Sequence, residues 1–545
     1  MPTNVIVAEK IEIAPFDEIK SVKGEMIISE SYPSYLVDES KISGGNAEWL
    51  FFPTTESEIV SIITKIKEEN LMLTISAART GIVGSAVPFG GAVLSLEKMN
   101  EVIGIGFDEY AQRWFFRSQP SISLNEINGY VKLKKFSQNQ SIPPESEWVE
   151  KFMEECTMYY PMDPTEMTAS LGGTICANAS GARSFKYGAT RVWVRRIRVV
   201  LGTCEVLDIT RGEYMAEDGI FVVKTAGKEL IIKAPYYHMP KAKNAAGLFT
   251  EPNMDLIDLF IGSEGIFGII TEADIWIKEY NAQMSCVGFF KDEEDAIDFV
   301  NLLRDDENLS PEFIEYFDNH ALNLVRDKQK TDPKFVNIPD IAEDIKTAIS
   351  FDLAYSEADM EKEFTQISEI LQKCNSSLEN TWCVYEDREL QRIKHFRHTV
   401  PEMVNNIIAE RKKQYSSIHK LGTDMSVDGQ YLKEMMKFYH NSLNEEKLEY
   451  VIWGHIGDNH VHVNILPRNL EELKKGKDLY MKFAKKAVSF GGSVSAEHGI
   501  GKIKHDYLEI MFGEEGIAQM KVIKCKFDPD CLINCGNIFP RSRCI

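Results

Sequence analysis

The sequence predicts a globular chain of mixed helix and strand, folded as two or three closely packed domains. Three observations lead there. At 545 residues the chain exceeds what one ordinary core accommodates. Its 44% hydrophobic and 26% charged content is that of a folded soluble protein. The local pattern also changes near residue 280, from strands separated by glycine-rich loops to amphipathic helices alternating with strands.

Residues 1–44 read as an irregular arm with some short strand. Thr55-Glu56-Ser57-Glu58 reads as a capping box, and Ile59, Ile62, Ile63 and Ile66 follow at helical spacing. A strand at 72–77 then enters ARTGIVGSAVPFGG, and a second strand at 92–96 leaves it. A dinucleotide-binding Rossmann unit requires a helix after its glycine loop. Here no GxGxxG occurs, and Pro88 with Gly90-Gly91 opposes a helix, which excludes that unit. Further glycine-rich segments lie at 163–194 and 260–277, with mixed strand and loop over 205–255. Between 280 and 450 helices such as 359–374 and 401–413 alternate with strands such as 347–353. Helices near 470–488 and 502–524 flank the loop GGSVSAEHGIGK.

A formal charge of −22, from 61 basic and 83 acidic residues, argues against nucleic acid as a partner. No apolar run reaches the roughly 20 residues that span a bilayer. The N-terminal sequence has neither signal nor transit pattern, so a cytoplasmic location is expected, with peripheral membrane attachment left open. In that compartment the ten cysteines are expected to be reduced. Cys525, Cys531, Cys535 and Cys544 raise the question of a metal site, but they form no tight CxxC pair and read as ordinary small core residues.

Small residues let backbone amides approach a ligand, and successive N–H groups make an anion-binding nest. Arg79-Thr80-Gly81-Ile82-Val83-Gly84-Ser85 suits a pyrophosphate, with Thr80 and Ser85 as hydroxyl donors and Arg79 as a charge. Gly172-Gly173 and the small residues through Ala177, Asn178, Ala179, Ser180 and Gly181 allow an extended cofactor to lie against the chain. Each loop alone reads first as a plain turn. Together, RTGIVGSAVP, DPTEMTASLGGTICANASGARSFKYGAT and FIGSEGIFGIITEA resemble, in order, the three FAD-contacting segments of vanillyl-alcohol-oxidase-type flavoproteins. HIGDNHVHVN and AEHGIG resemble, within that superfamily, the FAD-dependent D-2-hydroxyacid dehydrogenases of the D-lactate, glycolate and D-2-hydroxyglutarate type. The resemblance runs from about residue 45 to 540.

It implies an α+β fold: a two-subdomain FAD-binding domain at 45–279, a substrate domain with an antiparallel sheet flanked by helices at 280–450, and a segment at 451–545 that returns to the flavin. It also implies FAD contacts from Arg79, Thr80, Gly81, Val83, Gly84, Ser85, Ser170, Gly172, Gly173, Asn178, Gly181, Tyr187, Gly188, Glu264, Gly268, Ile270 and Asn534. The first loop has no His or Cys that could tether the flavin, so the FAD is expected to be non-covalent. Ala77, Ala78 and Arg79 stand where the family has glycines, and Asn534-Cys535-Gly536-Asn537 where it has Asn-Pro-Gly-Lys.

YVIWGHIGDNHVHVNIL, residues 450–466, carries three of the eleven histidines. A two-residue turn at Asp458-Asn459 would oppose His455 to His462, with Cβ atoms about 4.5–5.5 Å apart. His460 and Asn464 would then share a face by alternation. Such histidines also suit a merely hydrogen-bonded hairpin. SAEHGIG adds Glu497 beside His498, and His455, His462 and Glu497 make a three-ligand set with an open position, as in catalytic zinc; manganese or iron are alternatives. The resemblance points to the same three ligands. His460 stands where the family has Asn, as a hydrogen-bonding group or a competing ligand.

The resemblance further assigns Arg397 and Lys420 to the substrate carboxylate and gives Asn464 and His498 catalytic positions; His398 replaces the family's Glu after the arginine. The expected reaction is oxidation of a lactate-like D-2-hydroxy acid to the 2-oxo acid. In it a metal polarises the hydroxyl oxygen, His498 removes the proton, and hydride passes to FAD. Expected partners are that acid and an electron acceptor (electron-transfer flavoprotein, quinone or cytochrome), with a homodimer allowed for. The alternatives are a flavin-bearing subunit of a larger electron-transfer complex, and a metal-dependent hydrolase or lyase.

Overall fold

A computed structural model describes residues 2–138, 147–335, 338–354 and 360–541. Cys544 and residue 359 of the expected 359–374 helix lie outside them. The fold is α+β.

In the first half, a four-stranded sheet runs in the order Ser21–Lys23, Trp49–Phe51, Ala92–Ser95, Leu73–Ser76, the last three parallel. Helix Glu56–Glu69 buries Ile59, Ile62, Ile63 and Ile66, the stripe its spacing predicts. Thr55 accepts the Glu58 N–H at 3.2 Å, but the box does not close as expected. The Glu58 carboxylate takes the N–H of Thr54, at 2.6 Å, instead of that of Thr55. Residues 77–91 join strands Leu73–Ser76 and Ala92–Ser95 without a helix. A five-stranded antiparallel sheet follows, in the order Val206–Thr210, Val194–Leu201, Gly268–Trp276, Arg113–Ser118, Val102–Asp108. The N-terminal arm is not separate: Val5–Val7 pairs in parallel with Ile220–Lys224 in a three-stranded sheet, and Glu9 bridges Val206 of the five-stranded one.

The second half is built on a seven-stranded antiparallel sheet. Its order is Thr381–Val384, Gln283–Phe290, Thr347–Ala354, Phe313–Phe317, Tyr450–Gly454, His462–Ile465, Leu421–Gly422. The boundary drawn at 450 therefore cuts through one sheet, because the histidine strands pair with their sequence-distant neighbours. Period-2 alternation puts Glu315, Phe317, Trp453 and His462 on one face. Helices Asn319–Thr331 and Asp387–Lys412 cover that face. The second of these was expected to start at Pro401; it starts at Asp387 and runs through the proline. Ile393, Phe396, Val400, Val404 and Ile408 make one buried stripe across it, and that burial outweighs the missing proline N–H. Leu470–Ser489 matches its expected span, and His505–Phe527 is broken at Gly513, where φ is 64°.

One buried cluster runs from Phe116 and Ile275 of the first half to Phe351 and Ile452 of the second, so the halves share a core. The C-terminal segment returns to the first half: Leu73 and Leu532 are bridged at 2.8 Å, and buried Lys524 donates to the carbonyls of Ile266 and Ile533. Cys286 and Cys383 are directly paired on neighbouring strands and joined as a disulfide. This corrects the expectation that all the cysteines are reduced. The two lie 97 residues apart, and only the strand pairing brings them together. Among the described residues no helix is long and apolar enough to cross a membrane.

Candidate active site

A cavity of about 610 Å³ lies where the three glycine-rich segments meet the C-terminal loop. Of the residues expected to hold a flavin, Arg79, Thr80, Gly81, Val83, Ser85, Ser170, Gly172, Gly173, Glu264, Gly268, Ile270 and Asn534 line it. Gly84, Asn178, Gly181, Tyr187 and Gly188 do not. Asn178 ends a helix in the left-handed conformation and accepts the Arg191 N–H. Gly181 packs against the Asp163 carbonyl, where a Cβ would collide. Tyr187 donates its hydroxyl to Glu312 between the two halves, and Gly188 ends its helix.

Segment 170–182, read as a loop, is part helix. Ser170 caps a short helix, Leu171–Ala177, whose first turn contains the two glycines. Arg79 takes a left-handed backbone, φ 59°, a conformation open to the glycine the family has there. Its guanidinium lies 4.4 Å from the Tyr35 ring centroid and donates to Ser76 and Ala77, so its charge is turned to its own strand. Glu264 likewise acts as a joint. Its carboxylate accepts the Ser85 hydroxyl at 3.0 Å and the N–H groups of Ile500 and Gly501, and its carbonyl accepts the Asn534 and Asn537 amides. Burial pushes its carboxyl up, against those N–H and hydroxyl donors. Gly501 is required there, because φ is 53° and a Cβ would strike the Val83 carbonyl.

Loop 495–501 presents His498 and Glu497 to the cavity. Behind Glu497 stand the histidines, in a register that differs from the expected one. His462 pairs with Trp453, not with His455. Gly454, at φ 140°, lets the strand leave the sheet; a 3₁₀ turn at Ile456–Asp458 follows, and Asn459 is left-handed. The connection is thus longer than a two-residue turn, and His455 approaches from the loop. The convergence survives. Glu497 Oε1 lies 3.3 Å from His462 Nε2, 3.6 Å from His455 Nε2 and 3.5 Å from His498 Nε2.

The donor set His455, His462 and Glu497 fits a divalent cation, since its ligand atoms lie within 4.8 Å of one another. The outward nitrogens support it. His462 Nδ1 is 3.0 Å from the Thr423 carbonyl, which leaves Nε2 bare for a metal, and His455 Nδ1 is 3.5 Å from Glu315 Oε1. Burial alone would raise the Glu497 carboxyl, but Lys243 and His455 beside it hold it well below the usual carboxylate range. His460 faces the same cluster rather than sharing a strand face with Asn464, because it sits in the loop, bridged to Ser426. Burial pushes its pKa down to about 3, so it is neutral.

Several residues here were not singled out from sequence. Buried Lys243 places Nζ 2.9 Å from Glu497 Oε2 and 3.2 Å from the Gly181 carbonyl. It comes from the stretch 205–255, where no pattern marked it. Asp424 is fully buried and holds the loop. It accepts the N–H groups of Glu497 and His498, the Ser495 hydroxyl at 2.5 Å and Lys504 Nζ at 2.8 Å, and lies 3.3 Å from His498 Nδ1. Asn405 reaches the cavity from helix Asp387–Lys412, eight residues after Arg397; that spacing was the one signal.

Arg397, Lys420 and Asn464 lie around the cluster rather than in the cavity wall. Arg397 pairs with Glu315 at 2.8 Å and lies over the Phe313 ring, and Glu315 in turn faces His455. Lys420 is exposed, with Nζ 5.8 Å from the centroid of Trp453, the residue paired with His462. Asn464 donates its amide to the His462 carbonyl at 3.0 Å.

Comparison with known proteins gives two domain matches: an FAD binding domain over residues 47–144, and the C-terminal domain of FAD linked oxidases over 280–538. The chain is 27% identical to a D-lactate dehydrogenase of Anaerostipes hadrus, over 98% of each chain. It is 25% identical to a D-2-hydroxyglutarate dehydrogenase of Stutzerimonas stutzeri, covering 96% of this chain and 99% of that one. A solved alkyldihydroxyacetonephosphate synthase shares the fold, with a TM-score of 0.62 at 14% identity, covering 98% of this chain and 88% of that one.

Proposed function

We propose that this chain, which matches an FAD binding domain and the C-terminal domain of FAD linked oxidases, oxidises a lactate-like D-2-hydroxy acid to the 2-oxo acid with metal assistance. The observation that carries this reading is the meeting of the flavin cavity with a histidine–carboxylate cluster at Glu497 and His498.

Non-covalently bound FAD supplies a hydride acceptor, and a divalent cation held by His455, His462 and Glu497, zinc ahead of manganese or iron, supplies polarisation of the hydroxyl oxygen. The chain does the rest. Residues 79–85, 170–173 and Asn534 hold the cofactor. His498 takes the hydroxyl proton at Nε2, while Asp424 faces its Nδ1 and sets the ring's orientation. Arg397 and Lys420 bind the substrate carboxylate, Arg397 by releasing part of its contact with Glu315. Asn464 fixes the His462 backbone. The partner besides the acid would be an electron acceptor of the quinone, cytochrome or electron-transfer-flavoprotein class.

Anaerobic mixing with a panel of D- and L-2-hydroxy acids tests the reading. The flavin absorbance should bleach with D acids and not with their L counterparts. Substitution of His455 or His462 by Ala should remove the metal, measured by elemental analysis, and leave FAD bound. A yellow protein that no acid reduces would instead be an electron-carrying subunit.

A further inference from the structure

Four imidazoles surround the Glu497 carboxylate, and the reading above uses three. The fourth, His460, has 0% exposure, and neither of its ring nitrogens completes a hydrogen bond among the described residues. Buried polar atoms in folded proteins are ordinarily partnered, so an orphan imidazole at the centre of a donor cluster points to an absent ligand.

Its orientation indicates which ligand. Nδ1 faces Glu497 Oε2 at 4.0 Å, and Nε2 faces Asp424 Oδ1 at 3.3 Å. One nitrogen turned inward and the other toward a carboxylate is how metal-bound histidines are held. His462 has the same arrangement, with Nε2 inward and Nδ1 on the Thr423 carbonyl. The His460 and His462 ring centroids are 4.5 Å apart, closer than any other pair in the cluster. With metal–ligand bonds of about 2.0–2.2 Å, two donors on one ion can lie up to about 4 Å apart. Nδ1 lies 4.0 Å from Glu497 Oε2, at the outer limit for two donors of one ion. Asp424, His460 and Glu497 form a donor group within 4.8 Å that is separate from His455, His462 and Glu497 and shares Glu497 with it, so the His460 ring has to close toward the other two histidines as an ion binds.

We propose that His460 is a fourth protein ligand, bound through Nδ1, so that one divalent cation is held by His455, His460, His462 and Glu497. This rests on the metal site proposed above. The family that the motif resembles has Asn at this position, so the added imidazole would set this chain apart. It tightens binding and shifts preference toward ions that favour nitrogen, such as zinc, over manganese.

The test uses the full FAD-containing protein loaded with Zn²⁺, titrated with a chelator, and the Co²⁺-substituted protein, read by its visible absorption. His460→Asn should still bind one equivalent of Zn²⁺, at least tenfold more weakly, with an altered Co²⁺ spectrum. His460→Gln should do the same, and retained flavin absorbance reports folding in each variant. If the wild type takes up one equivalent and His455→Ala loses it, but both His460 variants bind Zn²⁺ as tightly with an unchanged Co²⁺ spectrum, the fourth-ligand proposal is overturned alone. Two equivalents in the wild type would also overturn it, in favour of a separate Asp424–His460–Glu497 site. No Zn²⁺ uptake by the wild type, or full uptake by His455→Ala, would overturn the underlying metal assignment instead.

Discussion

Asp424→Asn should slow flavin reduction by about two orders of magnitude while leaving FAD bound. When His498 takes the hydroxyl proton it becomes a cation 3.3 Å from Asp424 Oδ2. At an effective dielectric of about 20, Coulomb's law gives about 5 kcal/mol for a charge pair at that distance. Lys504 Nζ, 2.8 Å from the same oxygen, offsets part of it. If about half survives, 2–3 kcal/mol of transition-state stabilisation is lost, or roughly 30- to 150-fold in rate. Asparagine keeps the shape, and its carbonyl still accepts one of the loop N–H groups. The assay is anaerobic stopped-flow reduction by the best D acid, with FAD content measured in the same sample. Lys504→Met is the control: it disturbs the same network but keeps the carboxylate, so reduction should be unchanged or faster. Wild-type reduction by Asp424→Asn with FAD in place would refute the reasoning, and His498 would not be the base.

Three further outcomes are expected. Acid precipitation should leave the yellow colour in the supernatant, since no His or Cys stands in residues 77–86; colour in the pellet would show a covalent link. Arg397→Lys should raise KM at least tenfold, because a lysine cannot keep one N–H on Glu315, lie flat over Phe313 and still offer a planar pair of N–H groups to a carboxylate, and unchanged steady-state kinetics would remove Arg397 from the carboxylate site. His440 lies 2.9 Å from Glu293 and 2.8 Å from the Tyr450 hydroxyl; burial opposes its protonation, but Glu293 holds its pKa above the usual 6.5. A raised folded value contributes stability that is full below about pH 6.5 and is lost as pH rises through the folded value. The Tm difference between wild type and His440→Gln should therefore be largest near pH 6 and shrink toward pH 9, and a constant difference would contradict the pairing.

Features set by local chemistry were legible in the sequence. The isoleucine stripe of helix Glu56–Glu69 needs only its own spacing, and strand–glycine loop–strand needs only the absence of a helix signal after Ser76. Features set by pairing across the chain were not. The Cys286–Cys383 bond depends on which strands are neighbours, and so does the sheet that spans residue 450. Glu264 lay in a recognised segment, but its role as a joint depends on the approach of residues 500 and 501. Asp424 sat four residues after Lys420, with nothing in its neighbourhood to mark a buried carboxylate that collects five donors.

In the histidine segment a different register still brings the expected residues together. The expected hairpin made His455 and His462 neighbours by direct pairing; in fact Gly454 ends the ladder early and His455 swings in from a 3₁₀ turn. What the two arrangements share is a chain reversal short enough to keep both imidazoles near one point, and Glu497 then comes to them from a distant loop. That loop is braced from both sides by protein groups. Asp424 holds its backbone from the edge of the substrate sheet, Glu264 holds Ile500 and Gly501 from the flavin half, and Lys243 holds the Glu497 carboxylate itself. Donors fixed in this way before an ion arrives have little left to reorganise, the condition for a precise catalytic site. It is also why loss of either histidine should empty the metal site and leave the flavin cavity standing.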